Sequence, residues 1–325
     1  MGLPIAILGA GIAGAAAARE LHRRGLSVQV YDKGRNPGGR AATRTREGAH
    51  FDHGAQYFTA RDPRFLDQVE AWHAAGVVQE WQPRLVAIDS EGRRRLETGE
   101  TRWVGVPGMR ELATNLLHGI DLECSQRVVG VEQSAKGWFL NFRNEARRGP
   151  FSAVLCTLPA AQAVELLASE VVVDPARAVQ FGPCWALMLA FDQALPIDFD
   201  GAFVNAGPLS WVARDSSKPG RPEGERWLVH AGPMFSRETF ELPPTEVEAR
   251  LLKAFYSALG LTPVDPAQCH LHRWGYALAQ PPLELGIIAD DQRRIALGGD
   301  WCNGSRIEGA WLSGRLLAEW ASKLA

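Results

Sequence analysis

The sequence of 325 residues predicts an α/β fold of two interleaved domains, a Rossmann-type domain and an α+β domain with a mixed sheet. Three observations support this prediction. The chain opens with a strand–turn–helix–strand unit over residues 4–31, and it closes with a strand, a glycine turn and a helix over residues 294–323. Between them, residues 184–232 hold several strand-like runs separated by Pro- and Gly-rich turns. Such runs favour a second sheet, inserted within the first domain.

The opening unit has the clearest pattern. Pro4–Leu8 and Ser27–Tyr31 are short apolar runs of the kind that form buried strands, and the alanine-rich Ile12–Arg24 is typical of a helix that ends at Gly25.

The same two periodicities predict the remaining elements. The predicted elements are helices Pro63–Ala75, Met109–Leu117 and Thr245–Leu259, a helix with Pro159 at its first position, a hairpin of Arg127–Glu132 and Trp138–Phe142, strands Ala153–Thr157, Gln268–Tyr276 and Arg294–Leu297, and a last helix from about Glu308 to Lys323. Ser216–Glu225, rich in Ser, Pro and Gly, is predicted to be the most flexible loop.

The glycine turn Gly9-Ala10-Gly11-Ile12-Ala13-Gly14 lies directly after a strand and opens a helix. In this pattern the first glycine permits a tight turn, the second lets a pyrophosphate approach the backbone, and the third allows close helix–strand packing. Asp32 ends the second strand, where a carboxylate accepts hydrogen bonds from an adenosine ribose. The combination predicts a dinucleotide site, and a glycine-rich packing turn is the alternative.

Two further segments narrow the choice of dinucleotide. Gly38-Gly39-Arg40-Ala41-Ala42-Thr43 resembles the GG-R-x-x-T signature of a group of FAD enzymes that includes the flavin-containing amine oxidases. Gly299-Asp300, followed by a turn over residues 304–309 and a helix, resembles their second FAD segment. These likenesses imply FAD, held non-covalently, and a fold like that of glutathione reductase and the amine oxidases.

The run FDHGAQYFT, taken with these motifs and LGGDW, is similar to the renalase-like branch of this superfamily, particularly its bacterial members. The resemblance implies cofactor contacts from Gly9, Gly11, Ile12, Ala13, Gly14, Asp32, Lys33, Gly39, Arg40, Gly54, Ala55, Gln56, Tyr57, Val128, Asp300 and Ile307. It implies substrate contacts from Tyr57, Phe58, Thr59 and Arg61. The order of elements then predicts residues 1–60, 122–165 and 290–325 for the FAD-binding domain, and 61–121 and 166–289 for the substrate domain.

The resemblance also implies an activity, the oxidation of 2- and 6-dihydro isomers of NAD(P). Hydride would pass to flavin N5, and O2 would reoxidise the flavin to give hydrogen peroxide and NAD(P)+. Loss of hydride from a dihydropyridine is driven by aromatisation, so the protein needs to orient a ring and exclude water. We therefore expect no catalytic acid or base. Asp52, within the run, is expected to order the local backbone.

The strand His270–Tyr276 is a candidate substrate surface. Alternation along a strand places His270, His272, Trp274 and Tyr276 on one face and Arg273 on the other. Trp274 and Tyr276 are candidates to stack on a flat ring, and Arg273 to meet a phosphate or carboxamide; a core strand with capping histidines is equally compatible. Lys218 is interpreted as a solvated lysine rather than a lid residue.

Composition excludes several classes. A formal charge of −2 gives no reason to expect nucleic acid or a membrane surface as partner, and no apolar run is long enough to span a bilayer. Five dispersed cysteines without a CxxC pair indicate reduced thiols in a cytoplasmic protein. The histidines lack metal-ligand spacing, so no metal is expected. Cys302 does not match the context of a covalent flavin link.

Two other functions stay open at this stage. A flavin-dependent amine oxidase needs an aromatic cage for a neutral amine, and Tyr57 and Tyr276 are candidates for it. A non-catalytic binding module of the same fold is the second alternative, which retention of Arg40, the GAQY run and Asp300 disfavours. The expected partners are a small dinucleotide substrate and O2, and the sequence gives no oligomeric state.

Overall fold

The computed structural model describes residues 2–97, 99–143, 145–167 and 170–324. Its helices are α1 Ile12–Arg23, α2 Pro63–Ala74, α3 Glu111–Leu116, α4 Ala160–Leu166, α5 Pro233–Glu238, α6 Pro244–Leu259 and α7 Ile307–Ser322. Its strands are β1 Ile5–Leu8, β2 Val28–Tyr31, β3 Thr43–Arg46, β4 Ala49–Asp52, β5 Val78–Trp81, β6 Leu85–Asp89, β7 Gly92–Arg95, β8 Arg102–Gly105, β9 Asp121–Glu123, β10 Val128–Ser134, β11 Gly137–Phe142, β12 Arg148–Phe151, β13 Ala153–Cys156, β14 Phe181–Phe191, β15 Gly201–Val204, β16 Leu209–Arg214, β17 Glu225–Ala231, β18 Gln268–Ala279, β19 Ile287–Asp290 and β20 Ile295–Gly298.

One sheet joins elements from both ends of the chain. Its order is β19-β20-β13-β1-β2-β9, with parallel pairs throughout except the antiparallel β19–β20 edge. Every residue of β1, β13 and β20 is buried, as expected for parallel strands covered on both faces. The carboxyl ends of β1 and β2 therefore lie side by side, which brings Gly9 next to Asp32.

Helices α1 and α7 cover one face of this sheet and cross at very close range. A Cβ at Gly314 of α7 would lie 2.2 Å from the carbonyl oxygen of Ala13, so only glycine permits this approach. The antiparallel sheet β10-β11-β12 covers the other face, with Trp138, Leu140 and Phe142 in its core. The N-terminal and C-terminal segments are thus packed into one unit.

A second sheet carries the order β18-β14-β17-β16-β15-β6-β7 and is antiparallel except at the parallel β15–β6 pair. The apolar side of α6 packs on one face through Val247, Leu251 and Phe255. The hairpin β3–β4 packs on the other face, where Phe51 meets Ala186, Met188 and Leu228. The sheet therefore faces the segment that follows β4.

Most predicted elements are confirmed to within a few residues at their ends, and the interleaving of a parallel and a mixed sheet is confirmed. One detail is wrong: Pro159 is the residue before the first turn of α4, with extended backbone, and not its first helical residue. None of the helices in the described ranges is long and apolar enough to cross a membrane.

Candidate flavin site and substrate pocket

The turn after β1 leaves space where the sequence predicts a pyrophosphate. Gly9 has φ of +106°, and a Cβ at Gly14 would lie 1.9 Å from the Gly9 carbonyl oxygen. By contrast, a Cβ built at Gly11 would have no described atom within 4 Å apart from those of Gly11 itself and its two chain neighbours. Helix α1 begins at Ile12 with no side-chain cap and no acid in its first turn, so its N–H groups are available to an anion. The turn fits a diphosphate.

Asp32 lies at the edge of this turn, as predicted. One carboxylate oxygen accepts from the Ala10 N–H at 2.7 Å and the other from the Gly34 N–H at 2.6 Å. Burial raises the pKa of Asp32 despite these two hydrogen bonds, which oppose it. The segment before β10 is fixed here too, because the Gln126 N–H donates to the Asp32 carbonyl at 2.8 Å, and Val128 then opens β10 half-buried.

Arg40 and Asp300 bring the second and third predicted cofactor segments together. Their side chains form a two-point ion pair, with Nη2–Oδ1 at 2.5 Å and Nη1–Oδ2 at 2.9 Å. Gly39 before Arg40 has φ of +54°, and the guanidinium also lies over the ring of Phe181. The Arg40 side chain keeps 28% of its surface exposed, so it retains room for a further anionic contact.

The GAQY run packs backbone to backbone against Arg40. The Ala55 N–H donates to the Arg40 carbonyl at 2.9 Å, and a Cβ at Gly54 would lie 2.0 Å from the same oxygen. The Gln56 amide donates to the Gly54 carbonyl at 3.0 Å and accepts from Lys218 Nζ at 3.3 Å. The side chain of Gln56 therefore links the run to Lys218, and its predicted cofactor contact stays a prediction.

The end of the run is tied to the start of α7. The Glu308 carboxylate accepts from the N–H groups of both Arg61 and Asp62, each at 2.7 Å. Helix α7 begins at Ile307 without a side-chain cap. The N-terminus of α7, predicted to face the cofactor, is thereby held beside the GAQY run.

Four charged side chains form a buried cluster behind the run. Lys218 Nζ donates to Asp215 Oδ1 at 2.5 Å and lies 3.5 Å from Asp52 Oδ2, while Arg221 donates to the same Asp52 oxygen. The side chains of all four are at most 1% exposed. Two positive and two negative charges balance, which is the condition under which buried charges are tolerated.

The two acids of this cluster have opposite pKa shifts. Burial acts to raise the pKa of Asp52, but Lys218, Arg221 and hydrogen bonds from Met109 N–H and Thr43 outweigh it, so the pKa is lowered. Burial raises the pKa of Asp215, and the nearby Asp52 adds to this although Lys218 opposes it. Asp52 thus orders the local backbone, as expected, and neither acid is free to act as a base.

The interpretation of Lys218 as a solvated lysine in a flexible loop is wrong. Asp215–Ser217 forms a single 3-10 turn, and Lys218 then turns inward, where its ammonium also lies 5.9 Å from the centre of the Trp81 ring. The predicted flexible stretch 216–225 is consequently anchored by two buried ion pairs.

Tyr57 packs in a cluster of aromatic side chains, here called the Tyr57 pocket, with Arg102 over its own ring and Lys218 over that of Trp81. Its ring centre is 6.1 Å from that of Trp81 and 5.9 Å from that of Trp211, and the Arg102 guanidinium lies 5.2 Å over it. Arg102 donates only to the Glu100 backbone carbonyl, and within the described ranges no carboxylate lies within 4 Å of it. Arg102 Nε and Trp211 Nε1 are buried without a hydrogen-bond partner among the described residues. The pocket therefore holds two unpaired donors.

Strand β18 has the predicted two faces. His272 and Trp274 share one face and meet His53, whose ring is stacked on Trp274 with centres 5.0 Å apart. Arg273 lies on the other face, donates to a backbone carbonyl and packs on Phe240, so it does not join them. Tyr276 is 36% exposed and contacts Phe181, away from Tyr57.

His53, His230 and His272 are neutral at physiological pH. Burial lowers the pKa of His53 to about 3, with further lowering from His272 and Arg44. Burial also lowers the pKa of His230 and of His272 to about 4. The cluster thus contributes flat uncharged rings.

The environments of the other predicted contact residues give less support for contact with a substrate or cofactor. Phe58 is buried in the core against Phe65 and Trp72, which argues against contact with a substrate. Thr59 is half-buried. Lys33, predicted to contact the cofactor, is exposed beside Asp32. The side chain of Arg61 is committed to Glu100.

Sequence reasoning missed the residues that complete the pocket and the cluster behind it. Trp81, Arg102 and Trp211 come from three separate strands, and Asp215 and Arg221 flank the turn at Lys218. A local signal existed only for Trp211, because the alternation of Leu209–Arg214 puts it on one face of a strand.

Two family models match the chain. The description "NAD(P)-binding Rossmann-like domain" covers residues 7–72, and "Flavin containing amine oxidoreductase" covers residues 86–320. The chain belongs to the flavin containing amine oxidoreductase family. This membership confirms the predicted fold class, the superfamily and a flavin-dependent oxidoreductase at the level of the family.

The individual proteins that are similar to this chain are distant from it in sequence. The bifunctional tRNA 5-methylaminomethyl-2-thiouridine biosynthesis protein MnmC of Marinobacter nauticus is 30% identical over 148 residues, 42% of this chain and 21% of that protein. The chain therefore spans about a fifth of that curated relative. Solved structures of cyclohexylamine oxidase from Brevibacterium oxydans (13% identity, TM-score 0.78) and of putrescine oxidase bound to putrescine (15%, 0.75) are similar over 99% of both chains. At this identity they show the fold alone.

Proposed function

We propose that this chain is an FAD-dependent oxidase of the renalase-like branch that acts on 2- or 6-dihydro isomers of NAD(P). The dihydropyridine loses a hydride, which is two electrons and one proton, and O2 takes these with a further proton to give H2O2 and NAD(P)+. The flavin, when bound, supplies hydride acceptance and electron return to O2.

The residues that would hold FAD come from segments that contact one another, through a backbone bridge between Gly11 and Gly38 and through the Arg40–Asp300 ion pair. The open turn at Gly11 and the N-terminus of α1 suit the diphosphate, and Asp32 suits the adenosine ribose. Arg40 and Asp300 suit the chain that connects the diphosphate to the ring. Non-covalent binding is proposed because Cys302 is buried, and burial raises the pKa of its thiol well above the usual range.

The observation that carries the substrate proposal is the composition of the Tyr57 pocket. It combines aromatic rings with Arg102, a cation without a carboxylate partner in the described part of the chain, and with the unpaired Trp211 Nε1. Such a pocket favours a flat neutral ring that carries a hydrogen-bond acceptor, as a dihydronicotinamide with its carboxamide does.

The chain's residues need only bind and orient this ring. Asp52 and Asp215 are neutralised by Lys218 and Arg221. Since hydride loss is driven by aromatisation, no base is required, and the contribution of the protein is to exclude water and fix the ring.

Amine oxidation is the competing function. An amine is mostly an ammonium ion at neutral pH, and Arg102 repels it in the Tyr57 pocket. The cage of Tyr57 and Tyr276 considered from the sequence is also absent in the described residues, because each tyrosine packs in a different cluster.

Anaerobic mixing of the flavin-loaded protein with candidate reductants tests the proposal. We expect rapid loss of the oxidised flavin absorbance with 2- or 6-dihydro NAD(P), and slow loss with 4-dihydro NAD(P)H or monoamines. Rapid bleaching by a monoamine alone would establish the competing function. A protein that stays colourless after incubation with FAD would instead support a non-catalytic binding module.

A further inference from the structure

A cleft of about 500 Å³ lies at the free edge of the second sheet. Its walls are the β3–β4 hairpin with Arg44 and Arg46, the start of β18 with His270, and the N-terminal turns of α6 with Glu248. The cleft is separate from the Tyr57 pocket, whose residues belong to β5, β8 and β16.

The arginines of the cleft have no acidic partner in the described part of the chain. Among the described residues, neither Arg44 nor Arg46 has a carboxylate within 4 Å. Arg44 is half-buried, and burial together with the repulsion of Arg46 and Arg35 lowers its pKa. His270 Nε2 is buried and has no hydrogen-bond partner within the ranges that the structure describes. Like charges crowded at a partly desolvated position are unfavourable unless an anion joins them.

The acids that line the cleft do not neutralise these arginines. Glu248 of α6 interacts with the thiol of Cys269, whose pKa burial and Glu248 both raise. Glu47 is exposed at the hairpin turn, where its backbone carbonyl accepts from Gln268. The positive charge of β3 therefore remains available to a ligand.

The cleft lies on the same face of β18 as the residues that approach the GAQY run. His270, His272 and Trp274 alternate on that face, and Trp274 lies 3.4 Å from where a Cβ of Gly54 would be. His270 and Trp274 are four residue steps apart along the strand, or about 13 Å at ~3.3 Å per residue. Arg44 lies within electrostatic range of His53 and His272, between the two ends.

We propose that the cleft binds a phosphoryl group of the dinucleotide substrate, with Arg44 and Arg46 as its ligands and His270 as a further contact. This inference rests on the proposed function for the identity of the substrate. The strand span of about 13 Å joins the cleft to Trp274, which lies beside Gly54 of the GAQY run. Paired guanidinium groups suit phosphate oxygens, with which they form two-point hydrogen bonds.

Binding to the flavin-loaded protein tests the inference without turnover. Titration calorimetry with NADP+, with inorganic pyrophosphate and with nicotinamide riboside would be compared for the unchanged chain, Arg44→Gln and Arg46→Gln. We expect each substitution to weaken NADP+ and pyrophosphate binding about tenfold, and riboside binding to be unchanged. Arg95→Gln, an exposed arginine on β7 at the opposite edge of the same sheet, is the matched control.

Kinetic measurements show whether the phosphate that binds in the cleft belongs to the dinucleotide substrate or to a separate phosphate compound. We expect Arg44→Gln to raise KM for phosphate-bearing dihydronicotinamides about tenfold and to leave kcat unchanged, with no effect on phosphate-free dihydronicotinamide riboside. Pyrophosphate should compete with the dinucleotide. Pyrophosphate binding that depends on Arg44 but does not compete would show a site for a separate phosphate compound and overturn the substrate assignment.

Two outcomes distinguish this inference from the proposed function. Equal NADP+ affinity in the unchanged chain and the Arg44→Gln, Arg46→Gln double variant would overturn the inference, whatever the flavin chemistry. Arg44-dependent binding of NADP+ with no bleaching by any dihydro isomer would leave the cleft in place and refute the proposed function. Flavin content and the circular dichroism spectrum of each variant verify that it is folded.

Discussion

The guanidinium of Arg40 forms a two-point ion pair with the carboxylate of Asp300, a residue 260 positions further along the chain. The pair joins two distant segments of the predicted flavin site, because Arg40 follows the first nucleotide-binding unit and Asp300 follows β20. A planar fork is required for this geometry, which an ammonium cannot reproduce.

Arg40→Lys should therefore weaken FAD binding while leaving the fold intact. We expect at least a tenfold loss of affinity, since one charge-assisted hydrogen bond and the fork geometry disappear. Flavin absorbance after gel filtration and titration of the apoprotein with FAD measure it. Arg93→Lys, at an exposed pair with Asp198, is the control. Equal flavin retention in both variants would contradict the assigned role of Arg40.

Gly11 and Gly14 differ in a way that separates cofactor binding from packing. A Cβ at Gly14 meets the Gly9 carbonyl, so Gly14→Ala should destabilise the apoprotein by about 2 kcal/mol or more. A Cβ at Gly11 meets open space, so Gly11→Ala should leave apoprotein stability nearly unchanged and should reduce FAD affinity. Urea unfolding of the two apoproteins, followed by FAD titration, measures both effects. A large loss of apoprotein stability in Gly11→Ala would contradict the interpretation that Gly11 leaves space for the cofactor and is not required for packing.

The sequence was informative where the backbone itself is constrained. Gly9 and Gly14 are required by contacts under 3 Å that any side chain would make, and such positions leave a recognisable spacing. Asp32 directly follows the strand β2, and Asp300 follows the strand β20 after one intervening glycine. Each signal is contained within one strand–turn–helix unit, so a single sequence was enough to find it.

The buried cluster of Asp52, Asp215, Lys218 and Arg221 could not be predicted from a local sequence pattern. Lys218 stands in a Ser-, Pro- and Gly-rich stretch that is typical of an exposed loop. Its burial depends on Asp52, which is 166 residues away, and on the sheet that brings the two together. The Tyr57 pocket could not be predicted from the sequence either, because Trp81 and Trp211 are distant from Tyr57 in the chain.

Lys218→Met should be severely destabilising. The substitution leaves Asp52 and Asp215 buried with only Arg221, and an uncompensated buried charge of this kind costs about 3–5 kcal/mol. The double variant Lys218→Met, Asp215→Asn restores the charge balance and should recover part of the loss. Urea unfolding with FAD at a fixed concentration measures both. A loss under about 1 kcal/mol in the single variant would contradict a buried, fully paired lysine.

Stability should fall in mild acid because His53 resists protonation. Its pKa is about 3 in the folded chain against 6.5 in the unfolded chain, so between these values the unfolded state binds one more proton. Stability from this group is therefore complete above pH 6.5 and is lost as the pH falls, by about 2 kcal/mol between pH 7 and pH 5. His53→Phe keeps the ring stacked on Trp274 and removes the titration, so its unfolding free energy should change less over the same interval. An unchanged slope would exclude His53 as the source.

Arg102 should decide between dihydronicotinamides and amines. The guanidinium lies over Tyr57 with its Nε buried and unpaired, so it offers a hydrogen bond to an acceptor and repels a cation. Arg102→Gln should lower kcat/KM for 2- or 6-dihydro NAD(P) about tenfold and should raise any activity on monoamines, with flavin content unchanged. Arg95→Gln again serves as the control, since it removes an equal charge at a distant exposed site. Stopped-flow bleaching with both substrate classes measures the ratio. A fall in both activities by the same factor would mean that Arg102 stabilises the pocket but does not discriminate between substrates by their charge.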